Sequence, residues 1–193
     1  MSERILNVSH KEEIEYNGKK FRSNLETQTA KTLDALGIPY SYEEKKIELI
    51  EGFRCPYQKD KVRAVTYTPD FIIGPLMIEC KGFETPEWKI KKKLVFKWLM
   101  DNEPDTIFYQ IHDAKKELLK VINEHLSYLG MALRVTSKPT KKKPSESKLY
   151  DSVEEALEDL NLRGVPYGAI MSSLIGKRQY VLGYNFKLEK LRI

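Results

Sequence analysis

Three short stretches hold the residue types that could do chemistry together: Thr68-Pro69-Asp70, Glu79-Cys80-Lys81-Gly82 and, well upstream, Glu26. On a strand, residues two apart share a face, so Glu79 and Lys81 project together while Cys80 projects the other way. Gly74-Pro75 is a tight-turn dipeptide, which puts Asp70 on the neighbouring strand of the same hairpin. Two carboxylates and an ammonium then converge on one small patch of sheet. Carboxylates at close range raise each other's pKa. A hard divalent cation resolves that conflict, since Mg²⁺ takes a carboxylate or two, a backbone carbonyl and several waters. Lys81 beside it would hold or deprotonate an attacking water. A nucleophile next to a Lewis acid suits phosphodiester hydrolysis. The plainer alternative is a salt-bridge ladder on an exposed sheet face.

Glu26 admits two readings. Arg22 lies four residues earlier, so the two could form an internal helix pair; alternatively Glu26 faces the hairpin and completes a metal site. His10, His112 and His125 form no ligand spacing with the cysteines, so zinc is not expected. Cys80, facing away from the acids, should be an inert core thiol. Trp88 and Trp98 read as packing residues. Lys91-Lys92-Lys93 is either a solvated helix face or a cationic surface that steers a phosphate backbone.

The elements that must position these residues alternate between helix and strand. Segment 21–36 carries Leu25, Ala30, Leu33 and Leu36 at helical spacing, with Ser23 and Glu26 at capping-box spacing and Gly37 as C-cap. Segments 40–50, 64–73 and 76–82 read as strands. Segment 86–100 reads as a helix with apolar face Ile90, Leu94, Val95 and Trp98. A strand at 106–112, a helix at 114–129 ending at Gly130 and an edge strand at 132–136 follow. The expected fold is an α/β core with a mixed sheet.

Residues 137–148 hold two prolines, three serines and five lysines without one apolar side chain, and read as a linker, either a solvated tether or a basic strap. Beyond it, Asp151-Ser152 can cap a helix over 153–160, 161–164 can turn, and a second helix spans 166–175. Lys177-Arg178 and a short strand at 184–187 follow. Two short helices with basic residues just past the second suit a helix-turn-helix; a hairpin docking on the core or on a partner is the alternative.

The chain has 193 residues, with 33 Lys+Arg against 28 Asp+Glu, a net charge of 33 − 28 = +5. The pI near 9.0 suits a polyanionic partner. An apolar content of 41% suits a globular chain with a buried core. No apolar run approaches the roughly 18 residues of a membrane span, and the N-terminus lacks the apolar stretch of a signal peptide. Two cysteines exclude a disulfide scaffold and a four-ligand zinc cluster; a cytoplasmic setting is expected.

Phe21-Arg-Ser-Asn-Leu-Glu26, Leu36-Gly-Ile-Pro-Tyr-Ser-Tyr-Glu43, Tyr67-Thr-Pro-Asp-Phe71 and Glu79-Cys-Lys-Gly82 together resemble the PD-(D/E)XK nuclease superfamily. Within it, the likeness is to the phage endonuclease I family, which resolves Holliday junctions, and covers roughly residues 15–112. The resemblance implies a restriction-endonuclease-like core, with Asp70 and Glu79 as metal ligands and the Cys80 carbonyl as a third. It further implies Lys81 as catalytic lysine, Glu26 as a helix-borne acid, Mg²⁺ or Mn²⁺ as cofactor, and a phage-encoded homodimer. A second likeness covers about 40 residues: Asp151-Ser-Val-Glu-Glu-Ala156, Ile170, Leu174-Ile-Gly-Lys-Arg178 and Gly183-Tyr-Asn-Phe186 are similar to the modular DNA-binding repeats of homing endonucleases. It implies that the second helix approaches the major groove and that Lys177 and Arg178 touch phosphates.

The expectation is a nuclease domain at 1–137, a linker at 138–148 and a DNA-binding module at 149–193. The expected function is Mg-dependent cleavage of branched DNA, with site-specific homing-type cleavage of duplex and a non-catalytic DNA-binding role as alternatives. Arg22, Lys89, Lys92, Lys93, Lys141, Lys142, Lys143, Lys177 and Arg178 are the cations expected on the DNA.

Overall fold

The computed structural model describes residues 13–191, apart from 58 and 163. Local signals account for its first elements. Asn17 and Gly18 turn the chain between β1 (Ile14–Tyr16) and β2 (Lys19–Phe21). Ser23 then caps α1 (Asn24–Leu36), its Oγ accepting the Glu26 N–H at 3.2 Å. Gly37 ends the helix at φ 68°, a left-handed conformation that a β-carbon would strain, and its N–H closes on the last-turn carbonyls.

Segment 40–50 is not one strand. β3 (Ser41–Tyr42) joins the main sheet, whereas β4 (Ile47–Ile50) pairs with β7 (Val65–Tyr67) in a separate ribbon. Between these, β5 (Phe53–Arg54) and β6 (Lys61–Val62) form a short hairpin. Segment 64–73 also divides, around Pro69, because proline has no N–H to give to a ladder. The chain resumes as β8 (Phe71–Ile73), turns through Gly74 and Pro75, and returns as β9 (Leu76–Cys80). Gly74 takes φ 55°, the positive φ that suits a two-residue hairpin turn. α2 (Pro86–Asn102) then crosses over and β10 (Ile107–Ile111) runs parallel to β9. The sheet is mixed, in the order β10-β9-β8-β3.

α2 shows a different face from the expected one. Trp88, Val95 and Leu99 are buried, and Ile90 is 65% exposed. The buried stripe runs 88, 92, 95, 99, and Lys92 occupies its second position. Its ammonium pairs with Glu84 and donates to Gln110 Oε1 at 3.2 Å, so it is spent inside the fold.

The largest correction concerns the C-terminal third. After α3 (Lys116–Glu124), β11 (Met131–Ser137) is not an edge strand of the main sheet. It is the centre of a three-stranded antiparallel sheet, flanked by β12 (Ser147–Tyr150) and β13 (Tyr184–Lys190). A boundary at residue 137 would cut this sheet apart. Nor is 138–148 a free tether: it forms the β11–β12 hairpin, with the Ser137 N–H on the Glu146 carbonyl at 2.8 Å and the Thr140 N–H on the Lys143 carbonyl at 2.9 Å. Polar composition misleads here because backbone pairing and hydroxyl bonds, rather than apolar burial, order the loop.

α4 (Val153–Asp159) and α5 (Tyr167–Leu174) connect β12 to β13. α5 carries no charged side chain, and its Ile170, Met171 and Leu174 are buried. Those residues share one core with Leu33 of α1, Phe71, Ile78, Leu119 of α3, Leu133 and Phe186. A second cluster, with Met77, Tyr67, Ile47, Trp88, Val95 and Leu99, lies on the α2 side. Alternation along β9 separates the two: Leu76, Ile78 and Cys80 face the first, Met77 and Glu79 the second. Among the described residues no helix is long and apolar enough to cross a membrane.

Candidate metal-dependent active site

The β8–β9 register decides how the acids meet. Phe71 lies opposite Ile78, so the next pair outward is Asp70 opposite Glu79. Directly opposed residues of antiparallel strands project from the same face. Alternation puts both on the α2 side, two positions from Ile72 and Met77. Lys81, two beyond Glu79, follows on that face.

Glu79 is 3% exposed. Lys81 Nζ donates to its Oε1 at 2.7 Å and Tyr67 Oη to its Oε2 at 2.7 Å. Burial, then the Glu79 charge, pushes the Tyr67 hydroxyl well up, keeping it protonated as a donor. The Lys81 ammonium also lies 4.6 Å from the centre of the Trp88 ring, a cation–π distance. Trp88 is fixed in turn by its indole N–H on Gln110 Oε1 at 2.8 Å. Gln110 is the residue paired with Glu79 across the parallel β9–β10 ladder.

Asp70 accepts the Cys80 N–H through Oδ2 at 2.7 Å. Burial, and then the charge of Glu79, pushes its carboxyl up to about 8, with the Cys80 N–H and Lys81 opposing. The exposed salt-bridge ladder considered from the sequence is therefore absent: Glu79 is buried and Asp70 half-buried. The Cys80 thiol faces α1, 3.5 Å from Thr29 Oγ1, and burial pushes it up, as expected of an inert core thiol.

Glu26 is 7% exposed. It takes the Ser23 hydroxyl at 2.6 Å, the Arg22 backbone N–H at 2.9 Å and the Tyr42 hydroxyl at 2.6 Å. An internal pair with the Arg22 side chain does not form; that guanidinium binds Glu43 at 2.9 Å. Glu26 is close enough to help raise Asp70. It lines, with Cys80, Lys81, Gly82 and Phe83, an open cleft of about 910 Å³ at the carboxyl end of β9.

Among the described residues no group of three or more His, Cys, Asp or Glu is arranged to hold a metal ion. The donor set here is two carboxylates and backbone. That matches Mg²⁺ chemistry, in which one or two carboxylates suffice and water fills the remaining positions. Two features make the pair fit a cation: opposed, partly buried acids whose charges disfavour each other, and an Asp70 Oδ1 that accepts no hydrogen bond among the described residues.

The other sequence-derived cations lie elsewhere. Lys89 and Lys93 are exposed on α2; Lys141, Lys142 and Lys143 sit at the β11–β12 hairpin tip; Lys177 and Arg178 follow α5, also exposed. His112 is exposed beside Glu117, His125 bonds Tyr109, and His10 lies outside the described residues. Three supporting residues escape the sequence reading. Gln110 would follow from the parallel register alone. Tyr42 and Tyr67 carry no local signal, because each reaches its carboxylate from another element.

Tyr67→Phe removes a donor from a buried carboxylate. It should lower the unfolding free energy by about 1–3 kcal/mol, read as a shift of the urea midpoint with unchanged slope.

A scan against protein-family models finds no match, and searches of curated proteins and of solved structures find none either.

Proposed function

We propose that this protein is a metal-dependent endodeoxyribonuclease with a restriction-endonuclease-like core. The observation that carries the reading is the register that opposes Asp70 to Glu79 with Lys81 Nζ 2.7 Å from Glu79. The element order supports it: a helix, an antiparallel meander, a crossover helix and a strand parallel to the last of the meander.

Asp70, Glu79 and the Cys80 carbonyl would hold Mg²⁺ or Mn²⁺, with Glu26 on the cleft wall beside them. The ion supplies Lewis-acid polarisation of the scissile phosphate when bound. Lys81, steadied between Glu79 and the Trp88 face, would hold the attacking water towards the phosphorus by donating a hydrogen bond to its oxygen, the water's proton passing to solvent in the open cleft. Glu26, oriented by its three donors, stands on the cleft wall with Lys81. Trp88 and Gln110 keep Lys81 and Glu79 in register.

DNA as substrate and a homodimer as the acting species follow from the family resemblance, as does the preference for branched DNA. Homing-type cleavage of duplex follows from the likeness of the tail, as does a small DNA-reading helix. α5 has no cation of its own, so contacts to DNA would come from residues past it.

The test is cleavage of a four-way junction beside a matched linear duplex, with Mg²⁺ and with EDTA. Mg-dependent cutting of the junction supports the proposal, and cutting at one linear site supports the homing alternative. No cutting of either, with DNA binding intact, overturns catalysis and leaves a binding protein.

A further inference from the structure

Sequence-distant cations of this chain are brought onto one connected surface that leads away from the cleft. The Lys81 N–H donates to the Ile111 carbonyl at 2.9 Å, so β10 ends beside the catalytic lysine. The chain then turns through Asp113, which caps the Lys115 and Lys116 amides, and both lysine side chains are exposed. They border, with Lys177, a depression of about 370 Å³ floored by Leu119, Met171 and Ile175. Arg178 adjoins Lys177, its N–H held on the Ser172 carbonyl at 2.8 Å.

Two contacts continue the surface. Lys138 Nζ lies 5.7 Å from the Tyr180 ring centre, and the Lys138 N–H donates to the Gly183 carbonyl at 2.7 Å. These tie the loop after α5 to the base of the β11–β12 hairpin. The hairpin is itself ordered: Ser145 Oγ donates to the Ser137 carbonyl at 2.8 Å and the Lys143 N–H to Thr140 Oγ1 at 3.1 Å. Its tip presents Lys141, Lys142 and Lys143. Among the described residues none of these cations forms an ion pair. Acids are interspersed: Asp113, its carboxyl held below the usual range by the Lys116 and Lys115 amides and charges, and Glu117 flank the two lysines, Glu146 lies in the hairpin, and Glu154, Glu155, Glu158 and Asp159 stand apart on α4.

We infer that Lys115, Lys116, Lys177, Arg178 and the 138–143 hairpin form one phosphate-binding track that carries a DNA duplex arm away from the cleft. The choice of DNA over other polyanions rests on the nuclease reading. Unpaired, exposed cations on ordered backbone suit phosphates because each contact releases counterions at little ordering cost. Lys115 and Lys116 are the new members: no DNA-binding motif contains them, and the depression shared with Lys177 joins them to the rest.

Residues 149–193 cannot be deleted to test this, because β12 and β13 flank β11 and α5 lies in the common core. Charge reversals in the full chain serve instead: K115E/K116E, K177E/R178E, K141E/K142E/K143E, and K59E/K61E on exposed residues elsewhere as a control that matches the charge change of the two double variants. The probe is a fluorescein-labelled duplex of about 30 bp in EDTA, titrated between about 50 and 200 mM salt. Each track variant should bind at least about tenfold more weakly, with a salt slope shallower by about 0.9 per lost phosphate contact. Melting temperatures should stay unchanged and the control should bind like wild type.

Wild-type affinity and slope for K115E/K116E overturn the track, as does an equal loss in the control. Binding to phosphatidylserine vesicles but not to the duplex assigns the surface to lipid and also overturns it. Because no metal is present, the result is independent of cleavage. A chain that binds through these residues and never cuts retires the nuclease reading alone.

Discussion

On the nuclease reading, replacing Lys81 by arginine should leave the fold and DNA affinity as they are and lower Mg-dependent cleavage by about 10², the cost of misplacing a reacting group by about 1 Å. Arginine keeps the positive charge next to Glu79 and the stacking on Trp88. Its planar fork presents its donors from a different point than the compact ammonium, so the attacking water is no longer held in the same place. Lys81→Ala should lose as much activity and also stability, on the order of 1–3 kcal/mol, because Glu79 would stay buried with Tyr67 as its remaining donor. Single-turnover cleavage beside a melting curve separates the two effects. If the arginine variant cuts at the wild-type rate, Lys81 acts only as a counter-ion to Glu79 and does not position the water.

Asp70→Asn should do opposite things to activity and to stability. On the nuclease reading, cleavage should fall to background, because a charged ligand proposed for the metal is gone. The metal-free protein should become more stable, melting about 2–4 °C higher for each 1 kcal/mol gained. The sign follows from the proton balance. In the fold, burial and then the Glu79 charge push the Asp70 carboxyl up to about 8, against 3.8 for a free one. Between those values the folded state holds a proton that the unfolded chain has released. Stability of the metal-free protein therefore falls as pH rises from about 4 to about 8. Asparagine still accepts the Cys80 N–H but carries no charge, so this part of the pH dependence disappears. Saturating Mg²⁺ should raise the melting temperature of the wild type and not of the variant. An Asn variant that melts lower than wild type at pH 8 would show that the two acids do not oppose each other.

How much of this site is legible beforehand depends on the range over which each residue is positioned. Asp70, Glu79 and Lys81 need only strand alternation and a tight turn at Gly74-Pro75, both written within fourteen residues. Glu26 needs a helix start, which Ser23 announces. Its donor from Tyr42 is not local, and the rival pairing with Arg22 fails because α1 begins at Asn24, leaving Arg22 outside the helix. On α2 an apolar stripe drawn through Ile90 misses that Lys92 lies on the buried side, where its stem packs and its head reaches Glu84 and Gln110. Apolarity alone cannot reveal a half-buried lysine with partners outside its own helix.

The C-terminal third makes the same point at larger scale. Capped helices, glycine stops and a β-prone run at residues 132–136 can all be read in order from the chain. Which strands 131–137 would join cannot. That choice set pairing with β10's sheet against pairing with β12 and β13, and was settled by apolar area that Val153, Ile170, Leu174 and Phe186 bury only once folded together. The sequence by itself determined the chemistry-bearing trio, its hairpin and the helix that carries Glu26, because those depend on backbone periods and turn stereochemistry. Tertiary structure alone decided which donors reach the acids, which lysines remain free, and that a serine- and lysine-rich segment is an ordered hairpin, because each of these rests on contacts between residues far apart in the chain.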